Sequence, residues 1–229
     1  MLEFLDNIDS VLLLWLNGFH NSFFDGLMYL TSEKWVWVPV YVALFVATMV
    51  KFGFTRRTVG VVAIFAITIA LADNLCADYI RPLLCRPRPT HADSGISAMV
   101  HIVNGYHGGH YGMPSCHSAN SFGLAAITML IFRNRKLTAF IYLWAVFHTY
   151  SRIYLGVHYP GDILVGGLVG TAIAFAIYHL FTLNIEVIRH EAPHPYAANI
   201  VMCTGVVVFL LLIVASATGI DEQLLAMLD

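Results

Sequence analysis

The chain has 229 residues, of which 59% are hydrophobic and 11% are Asp, Glu, Lys or Arg, with a formal net charge of −2. A soluble domain carries about 25% charged residues, and the mean hydropathy here is +0.73, which together exclude a soluble globular protein. Uncharged apolar runs recur, and runs of about 18 residues or more cross a bilayer as helices, so the sequence predicts one all-α domain, 1–229, built as a polytopic membrane helical bundle.

The first ten residues, MLEFLDNIDS, place no basic region before the apolar stretch and make a poor signal peptide. Residues 9–31 are apolar but broken by Asn17, Gly18, His20, Asn21 and Asp25, which a clean span does not carry. Segment 1–34 is therefore read as two short amphipathic helices at the interface, with a distorted span as the alternative. Spans follow at 35–50 and 58–80, the second ending near Asp73 and Asp78, which are expected to pair with arginines. A loop over 81–113 is rich in Pro, Gly and His. The third span covers 115–132, the fourth 137–155, and the fifth 160–182, where Gly166, Gly167 and Gly170 allow close helix contact. A polar connector leads to a last span within 199–219. This makes about six spans, with residues 35–182 as the core.

Lys51, Arg56, Arg57, Arg133, Arg135, Lys136 and Arg189 fall on one face by span counting, and Lys34, Arg81, Arg86, Arg88 and Arg152 on the other. The positive-inside rule makes the first face cytoplasmic. Cys76, Cys85, Cys116 and Cys203 form no CxxC pair, so a thiolate zinc site is not expected. They serve as small apolar residues, with a Cys85–Cys116 disulfide left open.

Charge is scarce in this chain, yet three segments on the outer face concentrate it: RPLLCRPRP at 81–89, PSCH at 114–117 and SRIYLGVHYPGD at 151–162. Arg81, Arg88 and Arg152 supply guanidinium forks that suit phosphate oxygens. A helix start at Ser115 adds free amides. His117 and His158 have the ordinary pKa range of a nucleophile and a general acid. Asp162, four residues after His158, is placed to hold its tautomer. Arg86 is read as an interfacial arginine at lipid headgroups. His107 and His110, in GYHGGHYG, belong to a loop that admits a polar headgroup. His148 is read as a hydrogen-bonded core residue.

These segments resemble the signature of the type 2 phosphatidic acid phosphatase (PAP2) family, which includes the soluble vanadium haloperoxidases. The family pattern is Lys, six residues, Arg-Pro; then Pro-Ser-Gly-His; then Ser-Arg, five residues, His, three residues, Asp. Ser151, Arg152, His158 and Asp162 match the third element in full. Pro114, Ser115 and His117 match the second, with Cys116 in place of Gly. Arg88 and Pro89 match the first, with Arg81 in place of Lys.

The resemblance implies metal-independent phosphoryl transfer without a cofactor. His158 is the nucleophile, Asp162 orients it, and His117 protonates the leaving oxygen. Arg81, Arg88, Arg152, Ser115 and the backbone at Cys116 hold the phosphate. The expected substrate is a membrane lipid phosphate at the outer face of the inner membrane, with undecaprenyl diphosphate and lipid A phosphates ahead of glycerolipid phosphates. A lipid-to-lipid phosphotransferase and a non-catalytic binder or transporter of anionic lipids are the alternatives. A peroxidase is disfavoured by the membrane spans, and nucleic acid is not expected as a partner.

Overall fold

In a chain this apolar, backbone amides away from water must bond within the segment, which favours helices. A computed structural model describes residues 2–184 and 194–220, and among these it holds helices and no strand. Arg189 and most of the polar connector lie outside the described residues.

The first two helices are α1, Leu2–Asn17, and α2, Ser22–Ser32. They are separate because Asn21 caps α2, its side chain accepting from Phe24 N at 3.0 Å. The polar residues that interrupt this segment have partners elsewhere. Asn17 bridges the backbone of His101 and Tyr154, and Asp25 receives the Tyr154 hydroxyl at 2.6 Å.

After a short 3₁₀ turn, α3 spans Val38–Phe52 and ends at Gly53, whose φ of 68° reverses the chain. α4, Arg56–Asn74, continues through a π-helical stretch, Leu75–Ile80, into a short α5, Arg81–Leu84. Pro82 lacks the N–H that an α-helix needs and crowds the carbonyl four residues back. The helix widens just before it. The central helix α6, Cys116–Phe132, starts at Ser115, and α7, Arg135–Tyr154, starts at Asn134. α8 covers Pro160–Asn184 and α9 covers Pro195–Thr218.

Four stretches among the described residues are long and apolar enough to cross a membrane: Lys34–Phe52, Arg56–Leu84, Pro160–Phe181 and Tyr196–Thr218. α6 is apolar but shorter. Leu164, Leu168, Val207, Leu210 and Leu211 are exposed along α8 and α9. Apolar surface of this extent belongs against lipid rather than water. The molecule is an all-α membrane bundle, as the composition predicts.

α6 and α8 form the most extensive helix pair, and α4 lies against both. α3 pairs with α9, and Trp37 seals that side of the core, fully buried against Trp144 and Phe209. The contact between α6 and α8 is a contact of backbones. Gly170 sits on the Ala119 carbonyl and Gly166 on the Ser115 carbonyl, with no room for a methyl group at either. This registers the starts of the two helices against each other: Ser115 N donates to Asp162 O at 3.1 Å, and Ser118 Oγ to Ile163 O at 2.6 Å.

Candidate active site

α7 ends at Tyr154, and the chain turns back at Gly156, whose φ is 71°. A side chain there would strike Val100. The turn delivers His158 just ahead of Pro160, which opens α8 as a proline readily does. Asp162, in the first turn of α8, accepts from Tyr159 N at 3.1 Å and from His158 Nδ1 at 3.2 Å through the same oxygen, Oδ2. Capping its own helix thus aims the carboxylate at the histidine. Both side chains are buried, His158 at 1% exposure and Asp162 at 0%.

With Nδ1 donating to Asp162, Nε2 carries the lone pair. Arg88 Nη1 lies 2.9 Å from that nitrogen. Burial, then the charges of Arg88, Arg152 and Arg81, hold the His158 pKa well below its ordinary 6.5. The imidazole is neutral at neutral pH, as a nucleophile must be. If His158 attacks, the acid limb of kcat/KM therefore lies below pH 6.5. Folding stability has the same sign: the unfolded chain takes up this proton first, so stability present above about pH 6.5 declines as pH falls through and below it. A pH–rate profile with a parallel thermal-unfolding series checks both. An acid limb centred above 6.5 would contradict the neutral resting state.

Arg81, Arg88 and Arg152 crowd the same region. Burial, then Arg152 and Arg81, push the Arg88 guanidinium down to about 10. Their hydrogen-bond partners are neutral. Arg81 Nη2 donates to Pro114 O at 3.0 Å and Cys116 Sγ at 2.8 Å. Arg88 donates to the carbonyls of Tyr111 and Val157, and Arg152 to the Tyr106 hydroxyl at 2.9 Å. Arg81 Nε and Arg152 Nε are buried without a partner. Buried, unpaired donors on clustered cations are costly in a structural core, and they suit an anion.

His117, on the first turn of α6, lies within electrostatic reach of Arg152, His148, His158 and Arg88. It lines a cavity of about 810 Å³ whose walls include Tyr41, Phe45, Phe65 and Leu124. His148 is buried beside it, with Nδ1 2.8 Å from Ser121 Oγ. The site residues named from the sequence are thus gathered in one place: Arg81, Arg88, Ser115, Cys116, His117, Arg152, His158 and Asp162. The two departures from the family signature, Arg81 and Cys116, are hydrogen-bonded to each other.

Some expectations differ from the structure. Arg86 is not a free interfacial arginine: it bonds Asp162 Oδ1 at 3.0 Å, Asp9 at 2.7 Å and Asp6 at 2.9 Å. Its only trace in the sequence is the doubled Arg-Pro at 86–89 and an acidic pair three residues apart on α1. Among the described residues neither Asp73 nor Asp78 forms an ion pair with an arginine, and Asp73 instead accepts from Asn120 at 3.0 Å. All four cysteines are free, and the exposed Cys85 bonds Pro82 O rather than Cys116. The glycine-rich loop is stitched to the first motif through Arg88 N to His110 O and Gly112 N to Arg86 O. Gly112 lies so close that a Cβ would meet Asp162 Oδ2 at 2.9 Å and His158 Nδ1 at 3.4 Å. Gly112 carries no signal of this in the sequence, where it looks like an ordinary loop residue.

A family model of the PAP2 superfamily matches residues 58–186, more than half of the chain. The chain belongs to the PAP2 superfamily. It is 42% identical over 195 residues to a protein of Bacteroides thetaiotaomicron named lipid A 4′-phosphatase, covering 85% of this chain and 86% of that one. It is 34% identical over 180 residues to a protein of the same name from Porphyromonas gingivalis, covering 79% and 75%. An undecaprenyl-diphosphatase of Bacillus subtilis is 28% identical over 164 residues, covering 72% and 78%. No solved structure matches. Membership in this family, with phosphatases as its relatives, makes the protein a phosphoric monoester hydrolase of PAP2 type.

Proposed function

We propose that this PAP2 enzyme removes a phosphate monoester from a lipid by way of a phosphohistidine, and that lipid A 4′-phosphate is the first substrate to test. The observation that carries the chemistry is a neutral His158, tied to Asp162 through Nδ1, whose Nε2 faces three arginines with two unpaired N–H groups. His158 Nε2 attacks phosphorus, the bond to the lipid oxygen breaks, and His117 gives that oxygen a proton. Water then cleaves the phosphorus–nitrogen bond, freeing inorganic phosphate and returning a proton to His117. Arg81, Arg88, Arg152, the Ser115 hydroxyl and the first amides of α6, at Cys116, hold the oxygens on which charge grows.

Identity of 42% and 34% to proteins named lipid A 4′-phosphatase favours that headgroup over undecaprenyl diphosphate, whose named relative here is at 28%. The apolar-walled cavity beside His117 suits the lipid side of the leaving group. The topology that goes with this reading has about six spans, interfacial helices over 1–34, a core over 35–182 and a further span at 199–219. It sits in the inner membrane, with the site toward the periplasm.

The test is phosphate release by purified protein in detergent from lipid A, undecaprenyl diphosphate, phosphatidic acid and phosphatidylglycerol phosphate, with EDTA present. Release is expected, fastest from lipid A and unchanged by the chelator. Activity lost in EDTA and restored by one metal would overturn the metal-free mechanism. Phosphate appearing on an added lipid acceptor instead of in water would make the enzyme a transferase. Binding of all four lipids without turnover would leave a non-catalytic binder.

A further inference from the structure

Arg86 differs from the other arginines of the site in what it touches. Arg81, Arg88 and Arg152 donate to neutral groups, which leaves their charge available to an anion. Among the described residues the Arg86 guanidinium donates only to carboxylates. Its Nη1 is shared between Asp162 Oδ1 at 3.0 Å and Asp9 Oδ2 at 2.7 Å, and its Nη2 takes Asp6 Oδ1 at 2.9 Å. Its guanidinium lies 3.9 Å over the centre of the Tyr159 ring. Burial acts to lower the Arg86 pKa, but Asp162, Asp9 and Asp6 outweigh it, so the group stays charged.

Asp162 is thereby held from both sides. Oδ2 serves His158 and its own helix start, and Oδ1 serves Arg86. Asp9 makes a second tie to the same place, accepting from Gly161 N at 2.8 Å, and Gly161 leaves the space that the Asp9 carboxylate fills. Asp9 and Arg86 are both mostly buried, with side-chain exposures of 12% and 16%, while Asp6 is at 66% on the rim. A charge-assisted pair in this setting fixes geometry more firmly than one at the surface.

We propose that Arg86 is a positioning residue that locks the Asp162 carboxylate against His158, and that Asp9 of α1 holds Arg86 there. The N-terminal helix is then part of the machinery of the reaction, not only an attachment to the membrane. The inference rests on His158 being the nucleophile. It assigns Arg86 no contact with the phosphate, so its loss shows in the chemical step and not in binding.

The experiment compares Arg86→Gln, Arg86→Lys, Asp9→Asn and the double variant with wild type and with His158→Ala. It measures kcat and KM on whichever lipid of the panel wild type hydrolyses fastest. It also measures affinity for inorganic phosphate by calorimetry, and folded fraction by size exclusion in detergent. Arg86→Gln is expected to lower kcat about 100-fold while KM and phosphate affinity stay within about threefold. Arg86→Lys recovers part of kcat, since a cation remains beside Asp162. Asp9→Asn lowers kcat about tenfold and adds little to Arg86→Gln, as members of one network do. Unchanged kcat in folded Arg86→Gln would sink the proposal. A loss carried by KM and phosphate affinity would do the same, making Arg86 a ligand of the anion. If His158→Ala kept turnover, the nucleophile reading would fall first. If His158→Ala is inactive while Arg86→Gln turns over normally, only the positioning role is lost.

Discussion

His158→Ala is expected to lower kcat by about 10⁴-fold or more, leaving folded protein and near-normal affinity for inorganic phosphate. The side chain is buried at 1% exposure, yet among the described residues its Nε2 bonds only the Arg88 guanidinium. If His158 is the nucleophile as proposed, its removal stops the chemical step while Arg81, Arg88 and Arg152 remain as donors for an anion. Asp162→Asn should cost about 10²–10⁴-fold, because an amide at Oδ2 cannot both accept from Tyr159 N and His158 Nδ1 and offset the Arg86 charge. Single-turnover assays with a chemical quench separate the two variants. His158→Ala forms no phosphoenzyme, whereas Asp162→Asn forms it slowly. Near-wild-type turnover by His158→Ala would dismiss the nucleophile assignment.

The second large effect concerns the fold and reaches the site through it. Gly170→Ala and Gly166→Ala each drive a methyl group into a backbone carbonyl of α6, at Ala119 and Ser115 respectively. Backbone cannot rotate aside, so the helices must separate, at about 1–3 kcal/mol for each substitution. Gly167→Ala meets only the Phe122 ring and the Ser118 hydroxyl, at 3.0 and 3.3 Å, which can shift. Thermal unfolding in detergent should therefore rank Gly170→Ala and Gly166→Ala well below Gly167→Ala. Gly166→Ala should also lose kcat beyond its loss of stability, because the Ser115 to Asp162 backbone bond ties the start of α6 to the carboxylate that holds His158. Equal unfolding temperatures for all three variants would refute the close-packing account.

Much of this site was legible before any coordinates, for reasons that are local. His158 and Asp162 are four residues apart at a helix start, and covalent spacing alone brings them within reach of each other. Ser115 precedes an apolar helix and serves as its cap, a role its chemistry announces. The glycines at 166, 167 and 170 mark a helix face meant for close approach. Span counting puts Arg81, Arg88 and Arg152 on one face and the family pattern gives each a role, but nothing local says which side chains of segments 64 residues apart meet. The partners of Asp73 and Arg86 were misread for the same reason. Charged side chains choose partners by distance in space, and for Arg86 those partners lie 80 and 77 residues earlier and 76 residues later.

The sequence by itself determined that the protein is a helical membrane bundle, because scarce charge and long apolar runs leave the backbone no other way to satisfy its hydrogen bonds. It also named the arginines and histidines that the structure gathers around His158, because charged residues are scarce in so apolar a chain and cluster in the three motifs. Only the tertiary structure decided that α1 docks its Asp9 on the Arg86–Asp162 pair. It alone decided that Asn17 and Asp25, which looked like flaws in a span, are anchors for the loop at His101 and for Tyr154. Those interactions depend on where whole helices come to rest, which is set by the packing of many apolar contacts at once.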